Sequence, residues 1–440
     1  MIRSIICISA LLLIAAAYGQ TPGTAEIKTF RASVVKIDIT PGEPKYLSGY
    51  NERKSTGVHD HIYHRIVALD DGVTQFFLVS TEIAVVSPIE YDHVADKLKK
   101  RLGIDPQNFW WSTTHTHSAP EVGPFGLEKI FLGDRYGHEY DAEYTEYVEE
   151  ELINGIKEAR EKLSPARLSV GWGYSQANIN RRAKDIDGVA FLGMDPDGPV
   201  DRRIGLLKIE KDNGQTLALI ANYPIHGTVL GSKNLEISGD APGIVADYVE
   251  EKIGAPLVFI NGAAGNLAPI YSGANLNRLG PFRVMLGDKI IEAYQKMPAS
   301  ANKISLSTGS LMVETPRKAD LDWPEDFVKY TRTTSSGVHL VRIPLHFLKI
   351  NNDIAIWSAP LELFCEISNE IRDQSPFPYT FYFGYTNGWL GYLLTESEYN
   401  YKGYEPGVSP YTPHAERDLK EATVSYLQGE LKNKGIAHNK

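Results

Sequence analysis

A mixed α/β fold, built as one large domain with mixed β-sheets flanked by helices, is what this sequence predicts. Strand-like runs alternate with helical patterns along its length. No internal repeat or low-complexity linker divides the chain. Its 440 residues with 42% hydrophobic content are enough for one large core.

The first segment stands apart from that fold. Met1-Ile2-Arg3 precedes an apolar run from Ile5 to Ala17, and the small residues Ala17 and Gly19 stand ahead of Gln20. A basic start, a short apolar middle and a small-residue exit is the layout of a secretory signal peptide over 1–19. The mature chain, 20–440, is therefore expected to be secreted or periplasmic. No later apolar stretch reaches the ~20 residues that span a bilayer, so no transmembrane anchor is expected. Of the two cysteines, Cys7 falls in the leader, which leaves Cys365 alone and no internal disulfide. A formal charge of −10 without a basic run argues against nucleic acid as a partner.

Runs rich in β-branched and aromatic residues predict strands at 32–39, 63–68, 76–79 and 109–113. Tyr144, Val148, Leu152, Ile156, Ala159 and Leu163 form one apolar stripe, with Glu and Lys filling the opposite face, and predict a helix. Further strands are expected at 168–171, 204–209, 216–223, 257–260, 304–313, 341–348 and 354–357. Helices are expected at 243–252, 282–296, 361–372 and 415–431.

Chemistry-bearing residues gather where these strands end. Thr113-Thr114-His115-Thr116-His117-Ser118 follows the apolar Phe109-Trp110-Trp111. If the segment stays extended, His115 and His117 point to one face and converge on a metal or proton-transfer site. Two histidines satisfied by water and carbonyls is the plainer reading of that motif alone. His226 ends another apolar strand in Tyr223-Pro224-Ile225-His226-Gly227. Ala359-Pro360-Leu361-Glu362 reads as strand, turn and helix start, where Glu362 also fits an ordinary acid at a helix N-terminus. The stretch from Gly384 to Leu393, dense in Gly, Asn and aromatics, suits a loop lining a pocket, with Tyr392 and the later Tyr404 as its residues of interest. Asn261-Gly262-Ala263-Ala264-Gly265-Asn266-Leu267-Ala268-Pro269 either brings backbone N–H groups close to a ligand or makes a close-packed turn. It lacks the Lys-Ser/Thr of a P-loop.

Taken in order, these segments resemble the neutral (non-lysosomal) ceramidase family. The resemblance runs from Asp38-Ile39-Thr40-Pro41 and Thr56-Gly57-Val58-His59 through Thr114-His115-Thr116-His117-Ser118 and Asn178-Ile179-Asn180-Arg181. It continues at Ile225-His226-Gly227-Thr228, Ile237-Ser238-Gly239-Asp240, Pro360-Leu361-Glu362 and Thr386 to Tyr392, and closes at Tyr404-Glu405 and Pro413-His414. It implies a zinc ion held by His115, His226, Glu362 and Tyr392, with water completing the shell. It places His117, Arg181 and Tyr404 around the reacting carbonyl, the last two as donors to an oxyanion and His117 as proton donor or shuttle. Glu366, one turn beyond Glu362, is the alternative carboxylate.

The sequence departs from the family at one loop. A GDxSP-like segment with an implicated serine is expected, and the chain reads Gly265-Asn266-Leu267-Ala268-Pro269, with alanine at the serine position. The β-sandwich domain that follows the catalytic domain in full-length members is expected to be absent. The resulting expectation is an exported zinc-dependent hydrolase whose metal-held water attacks an amide (N-acyl) or ester carbonyl of a small or lipid-like substrate. Peripheral membrane contact stays open. The alternatives are hydrolysis of another linkage, such as that of acylated sugars, and a non-catalytic metal-containing binding protein.

Overall fold

Alternation of side chains along the strands builds two sheets around a shared core. The computed structural model describes residues 29–435, so the expected leader at 1–19 lies outside the described residues. Strand Arg31–Asp38 pairs antiparallel with Tyr63–Asp70. Val35, Ile66 and Ala68 enter one apolar cluster, while Ala32, Val67 and Leu69 enter another on the opposite face. The pattern continues across an eight-stranded sheet in the order Leu257–Asn261, Thr216–Tyr223, Arg203–Lys211, Ser164–Tyr174, Arg31–Asp38, Tyr63–Asp70, Gln75–Thr81, Phe109–Thr113. Arg31 and Ala32 join its two halves by pairing with Pro165 and Ser164. Ser80 Oγ donates to the Phe259 carbonyl of the far edge strand at 2.5 Å.

A five-stranded sheet faces it. Leu306–Pro316, His339–Ile350, Ile354–Ser358 and Tyr379–Phe383 lie side by side, with Thr331–Thr333 added to the second of them. Leu348, Ile356 and Phe381 of this sheet share a core with Leu78, Trp110, Ile220 and Ile260 of the first. Helices cover the outer faces. Pro88–Leu102 and Ala142–Glu161 pack Val94, Leu98, Val148 and Leu152 onto one half of the larger sheet, and Asp240–Ile253 packs Val245 and Val249 onto the other. Cys365–Gln374 and Ala415–Gly435 cover the smaller sheet through Ile367, Ile371 and Leu419. The expected α/β class with sheets flanked by helices is the one observed. None of the described helices is long and apolar enough to cross a membrane.

Three elements differ from expectation. The helix expected over 361–372 begins at Cys365, because Glu362–Leu363 pairs parallel with Tyr392–Leu393. The amides of Glu362 and Phe364 donate to the carbonyls of Gly391 and Leu393, both at 3.1 Å, and this ladder keeps the segment extended. The helix over 282–296 is present but widens to π-helical turns across Arg283–Asp288. The helix Pro88–Leu102 was not anticipated, although Ser87 Oγ caps the Glu90 amide, Pro88 opens it and left-handed Gly103 closes it.

Three parallel strand pairs, Gln75–Thr81 with Phe109–Thr113, Thr216–Tyr223 with Leu257–Asn261, and Ile354–Ser358 with Tyr379–Phe383, set the place of the site. The segments just beyond four of these C-terminal ends carry His115, His226, Glu362 and Tyr385.

His64 gives the fold a pH dependence. Its ring contacts Thr81 Oγ1 at 2.7 Å and the Val148 carbonyl at 3.0 Å, and burial lowers its pKa from 6.5 to about 4. With the folded value below the unfolded one, the neutral ring's contribution is complete above pH 6.5 and is lost as pH falls toward 4. Urea unfolding across that window is expected to show a loss on the order of 3 kcal/mol. His64→Gln is expected to flatten that part of the profile.

Candidate metal centre

His115 lies two residues beyond the strand Phe109–Thr113, in the left-handed region at φ 63°. Its convergence with His117 therefore arises from a kink rather than from the strand alternation expected of the motif. Two loops zip together to hold it. The His117 amide donates to the Gly227 carbonyl at 2.9 Å, and the Gly227 amide returns a bond to the His115 carbonyl at 3.2 Å. His226, carried on that second loop, is brought to a ring-centroid distance of 4.7 Å from His115, while His117 lies 4.8 Å from His115. Tyr385 (φ 51°) and Asn387 (φ 64°) share the left-handed region in the adjoining loop. Such conformations persist for residues other than glycine only where their surroundings over-determine them.

Hydrogen bonding fixes what the imidazoles present. His115 Nδ1 faces the Ala84 carbonyl and His226 Nδ1 the Leu267 carbonyl, each at 2.9 Å. A carbonyl only accepts, so each Nδ1 carries the proton and a neutral ring turns a bare Nε2 inward. Both of these Nε2 atoms face Glu362 Oε2, at 3.3 Å from His115 and 3.0 Å from His226. Burial, followed by the charge of Arg181, lowers the His226 pKa to about 3, so that ring is neutral at pH 7. Three lone pairs thus converge on one point inside the protein, an arrangement that a cation satisfies. The three imidazoles of His115, His117 and His226 offer nitrogens within 4.8 Å of one another, a set able to hold a metal ion.

The fourth expected ligand is also at hand. Tyr392 OH lies 3.4 Å from His226 Nε2 and receives a bond from Arg181 Nη2 at 3.0 Å. Burial holds this phenol well above its ordinary pKa, the nearby Arg181 guanidinium acting against that. Arg181 is clamped by Glu405, its Nε donating to Oε1 at 2.9 Å. The Tyr404 ring stands edge-on to Tyr392, with centroids 5.8 Å apart. His117 Nε2 is 3.2 Å from His115 Nε2, whereas its buried Nδ1 has no hydrogen-bond partner among the described residues.

All four expected ligands and all three expected catalytic residues therefore meet in one place. Glu366 does not join them, since its carboxylate is taken by the Asn266 side chain at 2.7 Å and by the Cys365 thiol at 3.3 Å. Two donors to Glu362 were missed in the sequence: Trp389 Nε1 at 2.9 Å and Tyr385 OH at 3.3 Å. Both belong to the aromatic loop already singled out, but nothing in its composition says which ring turns toward a carboxylate 23 or more residues away.

The centre opens onto a cleft of about 600 Å³, lined among others by His117, Arg181, Tyr392, Tyr404 and Ala268. Ala268 sits on the short strand Leu267–Pro269, opposite Ile179 of the strand Asn178–Lys184. Its methyl stands where a hydroxyl would reach the cleft. The glycine-rich segment before it is a close-packed turn: a Cβ on Gly265 would lie 2.6 Å from the Glu362 carbonyl.

Comparison with known proteins agrees with this geometry. Residues 30–275 match the family described as neutral/alkaline non-lysosomal ceramidase, N-terminal. The neutral ceramidase of Pseudomonas aeruginosa is 28% identical over 281 residues, covering 59% of this chain and 40% of that protein. Neutral ceramidase B of Dictyostelium discoideum is 27% identical over 230 residues, covering 50% of this chain and 31% of that protein. The chain thus spans well under half the length of these curated relatives. The crystal structure of the Pseudomonas aeruginosa enzyme superposes with a TM-score of 0.72 at 18% identity, covering 90% of this chain and 73% of that one, so the fold is shared. On the match over 30–275, this chain belongs to the neutral/alkaline non-lysosomal ceramidase family.

Proposed function

We propose that this chain is an exported, zinc-dependent hydrolase of N-acyl amides, with simple esters as a second substrate class of the same geometry. One observation carries the reading: the bare Nε2 atoms of His115 and His226 face Glu362 Oε2 beside a cleft lined by hydrogen-bond donors. The names of the relatives, neutral ceramidases, support the substrate class.

The donor set fits zinc. Two imidazoles, one carboxylate and one phenol oxygen are ligands that a borderline-soft ion without geometric demands accepts. His115, His226, Glu362 and Tyr392 would hold it, and when bound it supplies Lewis acidity and an acidified water. The remaining work belongs to side chains. Arg181, held by Glu405, keeps the Tyr392 oxygen in place and offers positive charge to a developing oxyanion. Tyr404 presents its hydroxyl at the cleft, and His117 stands beside the cluster to move a proton. Because Ala268 offers no hydroxyl, the reading requires no serine in the attack.

Purified protein is expected to contain about one zinc per chain, and His226→Ala and Glu362→Ala to lose most of it, as read by elemental analysis. Full occupancy in both variants would overturn the ligand set. His117→Ala and Arg181→Ala are expected to keep their zinc while turnover falls by about 10²–10³. The histidine trio favours one specific variation of this set. If His117→Ala loses zinc as fully as His226→Ala, His117 is a ligand.

Substrate class is read from N-acyl amides, simple esters and acylated sugars, each assayed with and without chelator. No chelator-sensitive hydrolysis of any of them by zinc-loaded protein would make this a binding protein. Ala268→Ser is expected to gain activity on N-acyl sphingoid amides where the rest of the cleft still accepts them. Export is read from the N-terminal residue of the mature protein, expected near Gln20.

A further inference from the structure

Among the described residues, Arg135 has no counter-ion and stands beside the proposed site. It closes the short turn Gly133–Arg135 and lines the cleft together with His117, Arg181 and Tyr404. Its Nη1 donates to the Gly49 carbonyl at 3.0 Å, and its guanidinium carbon lies 6.0 Å from the Tyr404 ring centroid. No carboxylate among the described residues lies within ion-pair distance of it, whereas Arg181 is neutralised by Glu405 at 2.9 Å. Among the described residues, no Asp or Glu lines this cleft, although the chain carries a net charge of −10. An uncompensated guanidinium in a concave, partly apolar site attracts anions and pairs with a carboxylate through its planar fork.

Its anchor places it near the reacting centre. Gly49, at φ 93°, backs directly onto the His117 ring, where a Cβ would come within 2.3 Å of Cγ. The carbonyl that holds Arg135 therefore belongs to the same backbone that seats His117. Elsewhere the lining is apolar: Leu192 and Met194 of the strand Ala190–Asp195 are 54% and 63% exposed, and Ala268 adds a methyl where a hydroxyl would be polar. Two outward apolar side chains at the mouth of a cleft suit a hydrocarbon chain.

We propose that the cleft takes long-chain N-acyl amino acids, with Arg135 binding the carboxylate next to the scissile amide and the Leu192–Met194 wall receiving the acyl chain. The proposal rests on the hydrolase reading and names its substrate. In the reaction, water adds to the acyl carbon and the C–N bond breaks. The leaving nitrogen takes a proton, giving a fatty carboxylate and a free amino acid.

The test uses N-dodecanoylglycine and its near-isosteric, uncharged amide N-dodecanoylglycinamide, with zinc-loaded wild type, Arg135→Gln and Arg135→Lys. The readout is kcat/KM where turnover occurs, and Kd by calorimetry where it does not. Wild type is expected to favour the carboxylate by about 10–100-fold, with the preference shrinking as salt rises. Arg135→Gln should bring the ratio to about one, and Arg135→Lys should keep part of it, as a point charge without the fork. Equal hydrolysis of both probes by wild type, or an undiminished preference in Arg135→Gln, overturns the proposal and leaves the hydrolase reading standing. Charge-selective binding that vanishes in Arg135→Gln, with no turnover of either probe, keeps the carboxylate site and overturns hydrolysis.

Discussion

Three lone pairs directed at one another inside a protein are the constraint on which the rest of this structure depends. Left alone, His115 Nε2, His226 Nε2 and Glu362 Oε2 would repel across 3.0–3.3 Å in surroundings that screen little. The fold nevertheless enforces the arrangement from behind. The carbonyls of Ala84 and Leu267 fix both imidazole tautomers, and Trp389 and Tyr385 donate to Glu362. These supports come from three separate stretches of chain, so the site exists only when those parts of the fold are assembled. A cation at the centre would turn that opposition into binding energy, which also links metal loading to stability.

A second buried charge network carries the donors. Glu405, 1% exposed, is shared between Arg181 and Arg182, and Arg182 reaches on to Glu398 at 2.5 Å. Burying such charges carries a large desolvation cost, recovered only when the geometry is complete. Here completeness has a consequence for position: the strand Asn178–Lys184 and the turn Tyr404–Gly407 are locked together, and with them Arg181 and Tyr404. A substitution at Glu405 would therefore strip Arg181 of its counter-ion, leave Arg182 to Glu398 alone, and loosen both proposed oxyanion donors at once.

Much of this was legible in the sequence, and for identifiable reasons. The central strands and the helix Ala142–Glu161 carry their own periodicity, so local pattern suffices for them. The HTH motif, the histidine after Tyr223 and the aromatic loop all lie at strand ends, and their convergence follows from the parallel pairing of those strands. Glu362 was placed on a helix because Pro360 reads as a first-turn residue. Its actual extended conformation comes from a ladder with Tyr392, 30 positions away, which no local pattern encodes. The left-handed backbone of His115 is hidden for the same reason, being imposed by contact with Ile83 and Gly227. Nothing local in the sequence marks Arg135, whose lack of a counter-ion among the described residues is a property of the folded cleft alone.

The residues proposed to hold the metal and those proposed to select the substrate sit on different kinds of structure. His115, His226 and Glu362 follow core strands directly, are nearly inaccessible to solvent, and are fixed by main-chain bonds. Ala268, Arg135, Leu192 and Met194 belong to a short edge strand, a turn and a hairpin at the cleft. A change in the first group disturbs the convergence of lone pairs and with it the buried charge balance, whereas a change in the second alters only what the cleft admits. The architecture thus allows the proposed metal site to stay fixed while the lining of the cleft varies around it.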